Sequence, residues 1–167
     1  MQHQFRWTAK KIAQRLALIE PLVYRADAPL APFHYRTLSG PLEAPPLDPS
    51  MDDSGWDVIQ PNSYWGGWGL SFVMRTRFIV PADWPAPVAL TLPISDRRDF
   101  RHPEALIYLD SQPYAAVDRF HGEIVLPARV CDGQTHDVML HGWTGTPDNQ
   151  RDSLTQLYMR DCRLVQV

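Results

Sequence analysis

Residues 104–126 read EALIYLDSQPYAAVDRFHGEIVL. The stretch opens on an unbroken apolar run, Ala105 to Leu109, rich in branched and aromatic side chains. A run this short fits a strand inside a sheet better than a helix. Asp110-Ser111-Gln112-Pro113 follows with turn chemistry, since Asp can bond the backbone ahead of it and Pro cannot donate to a ladder. Tyr114 to Val117 is apolar again, Asp118 to Glu123 is a polar break, and Ile124 to Leu126 returns to strand before Pro127. The reading is strand, turn, strand, charged loop, strand.

Upstream, residues 56–85 carry a second strand signal. Leu70, Phe72, Met74, Thr76 and Phe78 alternate with Ser71, Val73, Arg75 and Arg77. A period of two predicts a half-buried strand, with the arginines on its wet side. Pro81 to Trp84 closes it as a turn. Further strands are predicted at 88–94, 136–143 and 154–167, with a turn at Cys131-Asp132-Gly133-Gln134 and polar loops at 96–99 and 144–152. Sixteen prolines and six tryptophans punctuate many short segments. The chain is therefore expected to be all-β, a single sandwich over residues 1–167.

Two N-terminal stretches depart from that pattern. Ile12, Leu16, Ile19 and Val23 recur at helical spacing, which predicts one helix over 7–24, with Thr8 as a cap and Pro21 ending it early. Its apolar stripe is expected to pack on the sandwich; a homo-oligomer or interdomain contact is the other use open to it. Residues 25–55 hold six prolines, at positions 29, 32, 41, 45, 46 and 49. Few strands survive that density, so an irregular segment wrapping the core of 56–167 is expected.

The strand-turn-strand stretch resembles the N-terminal β-sandwich domain of class II α-mannosidases, glycoside hydrolase family 38. The resemblance rests on Glu104, Ala105, Leu106, Tyr108, Asp110, Pro113, Asp118, Arg119, His121 and Glu123, and upstream on Trp65, Gly69, Arg75, Phe78, Val80, Pro81 and Trp84. Ser111 and Ala116 stand where that family usually has Gly. The resemblance implies a jelly-roll, galactose-binding-like sandwich that precedes a catalytic domain cleaving α-linked mannose with a divalent zinc. It implies that the nucleophilic Asp and the zinc ligands, whose first pair has His-x-Asp form, lie in that later domain. This chain contains no His-x-Asp; His102-Pro103-Glu104 and His121-Gly122-Glu123 are the nearest shapes. No catalytic residue and no cofactor are therefore expected here, and the downstream catalytic domain is the expected partner.

Two other classes stay open: a carbohydrate-binding module with its own glycan affinity, and a freestanding structural protein. Trp65 and Trp68 flank a glycine pair that lets another backbone approach, and Asp118, Arg119 and His121 form the most family-like polar loop. These five are the candidate interdomain or ligand contacts. No glycine-rich loop precedes a helix, and Ser71, Ser95 and Ser111 lack a nucleophile-elbow context.

Composition narrows the partners. The net charge is −3, which argues against nucleic acid. No apolar run approaches the roughly 20 residues that span a membrane. The first residues lack the apolar stretch of a signal peptide, so a cytoplasmic protein is expected, with Cys131 and Cys162 as free thiols.

Overall fold

The computed structural model describes residues 7–96, 102–146 and 156–167. Residues 97–99 of the loop expected at 96–99 and 147–152 of the one expected at 144–152 lie outside those residues. Twelve strands are present among the described residues. They are β1 (Ala26–Pro29), β2 (Phe33–Thr37), β3 (Asp57–Ile59), β4 (Ser63–Trp65), β5 (Ser71–Ile79) and β6 (Val88–Thr91). After these come β7 (Glu104–Leu109), β8 (Gln112–Asp118), β9 (Glu123–Val125), β10 (Thr135–Trp143), β11 (Leu157–Met159) and β12 (Arg163–Gln166). A six-stranded sheet runs β3-β2-β5-β10-β7-β8, and a four-stranded sheet runs β1-β12-β6-β9. A small ribbon pairs β11 with β4. Every pairing is antiparallel. The fold is a β-sandwich.

The core forms where alternate residues of the long strands turn inward. Phe72, Met74 and Phe78 of β5, Leu140 of β10 and Ile107 of β7 meet Leu90 of β6 and Leu164 of β12. Trp65 is in the same core, 3% exposed. Its ring stands edge-on to Phe72 at 4.9 Å, and its indole N–H donates to the Ile94 carbonyl at 2.9 Å. A buried Trp needs such an acceptor, and this one binds the ring in place.

The turn after β7 follows the sequence closely. Asp110 and Ser111 both take positive φ, 49° and 67°, which is the two-residue hairpin geometry whose twist matches the strands. Ser111 stands at a glycine-favouring position and is tied down by its hydroxyl, which donates to the Leu47 carbonyl. Pro113 sits on β8, an edge strand, next to a register shift at Ile107/Tyr108. An edge tolerates the missing N–H.

Three expectations need correction. The strand β5 is not half-buried: its outward residues Ser71, Val73 and Arg75 are buried as well. A second apolar cluster of Leu38, Val73 and Met139, with Leu47, Trp56 and Tyr108 against it, covers that face. The proline-rich segment supplies the cover and is less irregular than expected, because β1 ends on Pro29 and β2 forms between Pro32 and Pro41. The third correction concerns the helix. It spans Thr8–Ile19, with one 3-10 turn over Glu20–Leu22 that accommodates Pro21. Trp7 is the N-cap, with no side-chain capping bond, so Thr8 does not cap it. No residue of the helix is buried, and Ile12, Leu16 and Ile19 are each more than half exposed. The stripe does not pack on the sandwich.

What holds the cover is a buried guanidinium. Arg75, 1% exposed, donates from Nε to Asp137 at 3.0 Å and from Nη2 to the Pro49 carbonyl at 2.6 Å. Its Nη1 lies 3.4 Å from the Met51 carbonyl and 3.8 Å from Asp53. Planar Arg geometry suits several fixed acceptors at once. One side chain of β5 thus fastens residues 49–53 over the sheet.

Candidate functional site

The strand β8 lies at one edge of the six-stranded sheet and β9 at one edge of the four-stranded sheet. Residues 119–122 carry the chain from one to the other. Asp118 organises that crossing. Its carboxylate accepts from the backbone N–H of Phe120 at 2.6 Å and of His121 at 2.8 Å. The His121 ring Nδ1 lies 2.9 Å from its second oxygen. A short Asx-type turn results, in which local bonds replace a ladder. Burial pushes the Asp118 carboxyl up, but bonds from the His121 ring and the two N–H groups outweigh it and hold the carboxyl below its ordinary range. A lowered carboxyl orders the loop above the ordinary carboxylate pKa and loses that effect as pH falls through the lowered value. Arg119 places its guanidinium 4.7 Å over the Phe120 ring. Phe120 is 60% exposed.

Two clefts flank this loop and share Asp118 as a wall. The first, about 480 Å3, lies on the outer face of the six-stranded sheet beyond the proline-rich cover. Glu104, Leu106, Ala116, His121, His141 and Trp143 are among the residues that line it. Burial lowers the His141 pKa, which favours a neutral ring there. The second cleft, about 610 Å3, opens on the other side of the loop. Tyr24, Ser95, Asp96, Phe120, Glu123 and Arg160 line it. Tyr24 donates its hydroxyl to Glu123 at 2.5 Å; burial, then that bond, pushes its pKa up to about 12. Arg160 pairs with Asp96. The Ser95 hydroxyl oxygen is buried and has no hydrogen-bond partner among the described residues.

The structure brings Asp118, Arg119 and His121 together, as one loop. It separates them from Trp65 and Trp68, which line neither cleft. Trp65, expected at an interdomain or ligand contact, is instead a core residue held by Phe72 and the Ile94 carbonyl. Trp68 is 45% exposed. The glycine pair between them faces its own chain: a Cβ on Gly66, whose φ is +67°, would lie 3.1 Å from the Thr144 methyl. His121 and Glu123 do not act together, since one turns to Asp118 and the other to Tyr24. Among the described residues no group of three His, Cys, Asp or Glu is arranged to hold a metal.

Both thiols are free. Burial, and then the nearby Asp161, raises the Cys162 pKa to about 12; burial, and then Asp132, raises that of Cys131. Neither is poised as a nucleophile. Sequence reasoning missed Ser95, Tyr24 and Arg160 as cleft residues. Tyr24 and Glu123 are 99 positions apart, and no local pattern marks a pairing at that distance.

No family model and no curated protein matches the chain. Solved structures do share its fold. A β-glucuronidase from Ruminococcus gnavus, in complex with uronic deoxynojirimycin, superposes with a TM-score of 0.55 at 11% identity over 87% of this chain. The same enzyme with D-glucuronic acid gives a TM-score of 0.51 at 12% identity, again over 87%. The chain spans only 29% and 30% of those two proteins. The likeness is one of fold: a β-sandwich that also occurs as part of a larger glycosidase. No helix among the described residues is long and apolar enough to cross a membrane.

Proposed function

We propose that this chain is an accessory, non-catalytic β-sandwich domain of a glycoside hydrolase, and that the parent enzyme hydrolyses α-linked mannose. The observation that carries the reading is the loop at 118–121. Its family-like residues fold into one self-bonded turn at the crossing between the two sheets, and the Asp118 carboxylate is spent on that turn. Such a loop presents a fixed shape and a guanidinium, which suits docking on a neighbouring domain better than proton transfer. The occurrence of the same fold as less than a third of a glycosidase supports an accessory role. The mannoside substrate and a zinc in the parent's catalytic domain rest on the motif resemblance.

The test uses the parent enzyme and the 167-residue chain side by side. The parent is expected to cleave an aryl α-mannoside and to lose that activity to a chelator. The chain alone is expected to do neither. Arg119→Ala in the parent should weaken domain association or lower activity by an amount equivalent to about 2 kcal/mol, the scale of a central interface residue. Turnover by the chain alone, or a parent that cleaves aryl β-glucuronides instead, would overturn the reading. An Arg119→Ala parent with unchanged activity and assembly would remove the docking role of the loop.

A further inference from the structure

His136, near the start of β10, lines neither cleft and sits between two carboxylates. Its Nδ1 lies 2.8 Å from an Asp110 oxygen, and its Nε2 lies 2.9 Å from an Asp132 oxygen. The side chain is only 12% exposed. A neutral imidazole carries one N–H and one lone pair, so it cannot donate to both carboxylates; the imidazolium can. The extra proton belongs on the ring, because an ordinary carboxyl loses its proton near pH 4 and an ordinary histidine near pH 6.5. Burial by itself lowers the His136 pKa, but the bonds to Asp132 and Asp110 outweigh it and raise the value.

The two carboxylates belong to different turns. Asp110 starts the positive-φ turn between β7 and β8, and its other oxygen accepts from the Asp137 N–H at 3.0 Å. Asp132 lies in the turn before β10, and the oxygen that faces His136 also accepts from the Gln134 N–H at 2.8 Å. The first of these turns reaches the proline-rich cover as well, through the Ser111 hydroxyl and the Leu47 carbonyl. Asp110 and Asp132 are the charged groups that act on the ring. Beside it in the sheet, Arg77 of β5 and Asp137 of β10 are paired with each other. Phe78 of β5 meets the ring at 5.9 Å, and the Cys131 thiol, its pKa raised by burial and then by Asp132, adds no charge at neutral pH.

We propose that His136 is an imidazolium at neutral pH and works as a pH-sensitive clip: protonated, it ties the Asp110-Ser111 turn to the turn at Asp132-Gly133, and on losing its proton it releases one of them. The released carboxylate then faces a ring lone pair, which repels it. The folded chain binds the ring proton more tightly than the unfolded chain does. The clip's contribution to stability is therefore complete below about pH 6.5 and is lost as pH rises through the folded midpoint. The inference does not depend on the substrate of the parent enzyme.

The experiment follows the His136 ring nitrogens by nitrogen-15 NMR in the 167-residue chain, from about pH 5 to about pH 10, a range that spans histidine titration. The same chain unfolded in urea is the reference. His136 is expected to titrate at a higher pH in the folded chain than in the unfolded one, with both ring nitrogens protonated at neutral pH. Asp110→Asn and Asp132→Asn should each lower the folded midpoint. Both variants keep a side-chain oxygen for the backbone N–H groups, and Asn tolerates the positive φ at position 110. His136→Gln removes the charge, so its urea midpoint should vary less over this range than that of the wild type. The amides of Gln134 and Asp137 should lose protection against hydrogen exchange above the His136 midpoint. The proposal is overturned if His136 titrates at or below its unfolded midpoint, or if either aspartate variant leaves the folded midpoint unchanged. Equal pH dependence of the wild type and His136→Gln, or amide protection that ignores the titration, would overturn it too.

Discussion

Residues 38–56 carry four prolines and no strand, yet they cover a buried face of the sheet; Thr8–Ile19 is a regular helix and buries nothing. The first segment is held by tertiary groups. Arg75 binds two of its carbonyls, Ser111 binds the Leu47 carbonyl, and Trp56 and Leu47 pack on the cluster around Val73. The helix has its own ladder and an apolar stripe, but the stripe is not buried against the described residues. A 12-residue helix is marginal by itself in water, because nucleation is costly and packing supplies most helical stability. Local regularity and tertiary anchoring are therefore separate properties in this chain, and the less regular segment is the better anchored one.

The largest effect is expected at the anchor. Arg75→Ala removes the buried cation that Asp53 and Asp137 share, together with its bonds to the Pro49 and Met51 carbonyls, and leaves Asp137 to the exposed Arg77 and Asp53 to His34. Removing one partner of a buried pair costs about 3–5 kcal/mol, so the urea midpoint should fall accordingly. A loss below about 1 kcal/mol would mean that the cover stays in place without Arg75, and the contrast with the helix would collapse. The smallest effect is expected at the helix. Replacing Leu16 and Ile19 together by Asp should change the stability of the chain by no more than about 0.5 kcal/mol, as for surface sites that touch no special feature. A loss of several kcal/mol in the same urea titration would show that the stripe packs on something in solution.

Much of the fold was legible before any coordinates. The period of two in β5, the apolar run of β7 and the Asp110-Ser111 turn follow from local rules, and those elements formed. Even the end of the helix was readable, because Pro21 cannot continue the ladder. What was not legible depends on contacts far apart in sequence. Alternation assigned Arg75 to a wet face, since a pattern shows which residues share a side and not what covers it. Trp65 was read as a contact residue because a Trp beside glycines suits an interface as well as a core; only the Ile94 carbonyl, 29 positions away, tells them apart. The candidate site divides the same way. Asp118, Arg119 and His121 are one local loop and were found together. Ser95 and Tyr24 join it only through folding, and their own neighbours in sequence carry no sign of it.

The contrast between the two segments is tested most directly by native-state amide hydrogen exchange on the 167-residue chain. The Leu38 amide, bonded to the Ser71 carbonyl at 2.8 Å, and the Trp56 amide, bonded to Asp53 at 3.0 Å, report on the cover. Both should open with free energies approaching those of the amides in β5 and β10. The amides of Thr8–Ile19 should show opening free energies near zero, as for a segment without buried contacts. Helix amides protected as strongly as those of β5, or cover amides exchanging as freely as the helix, would contradict the account.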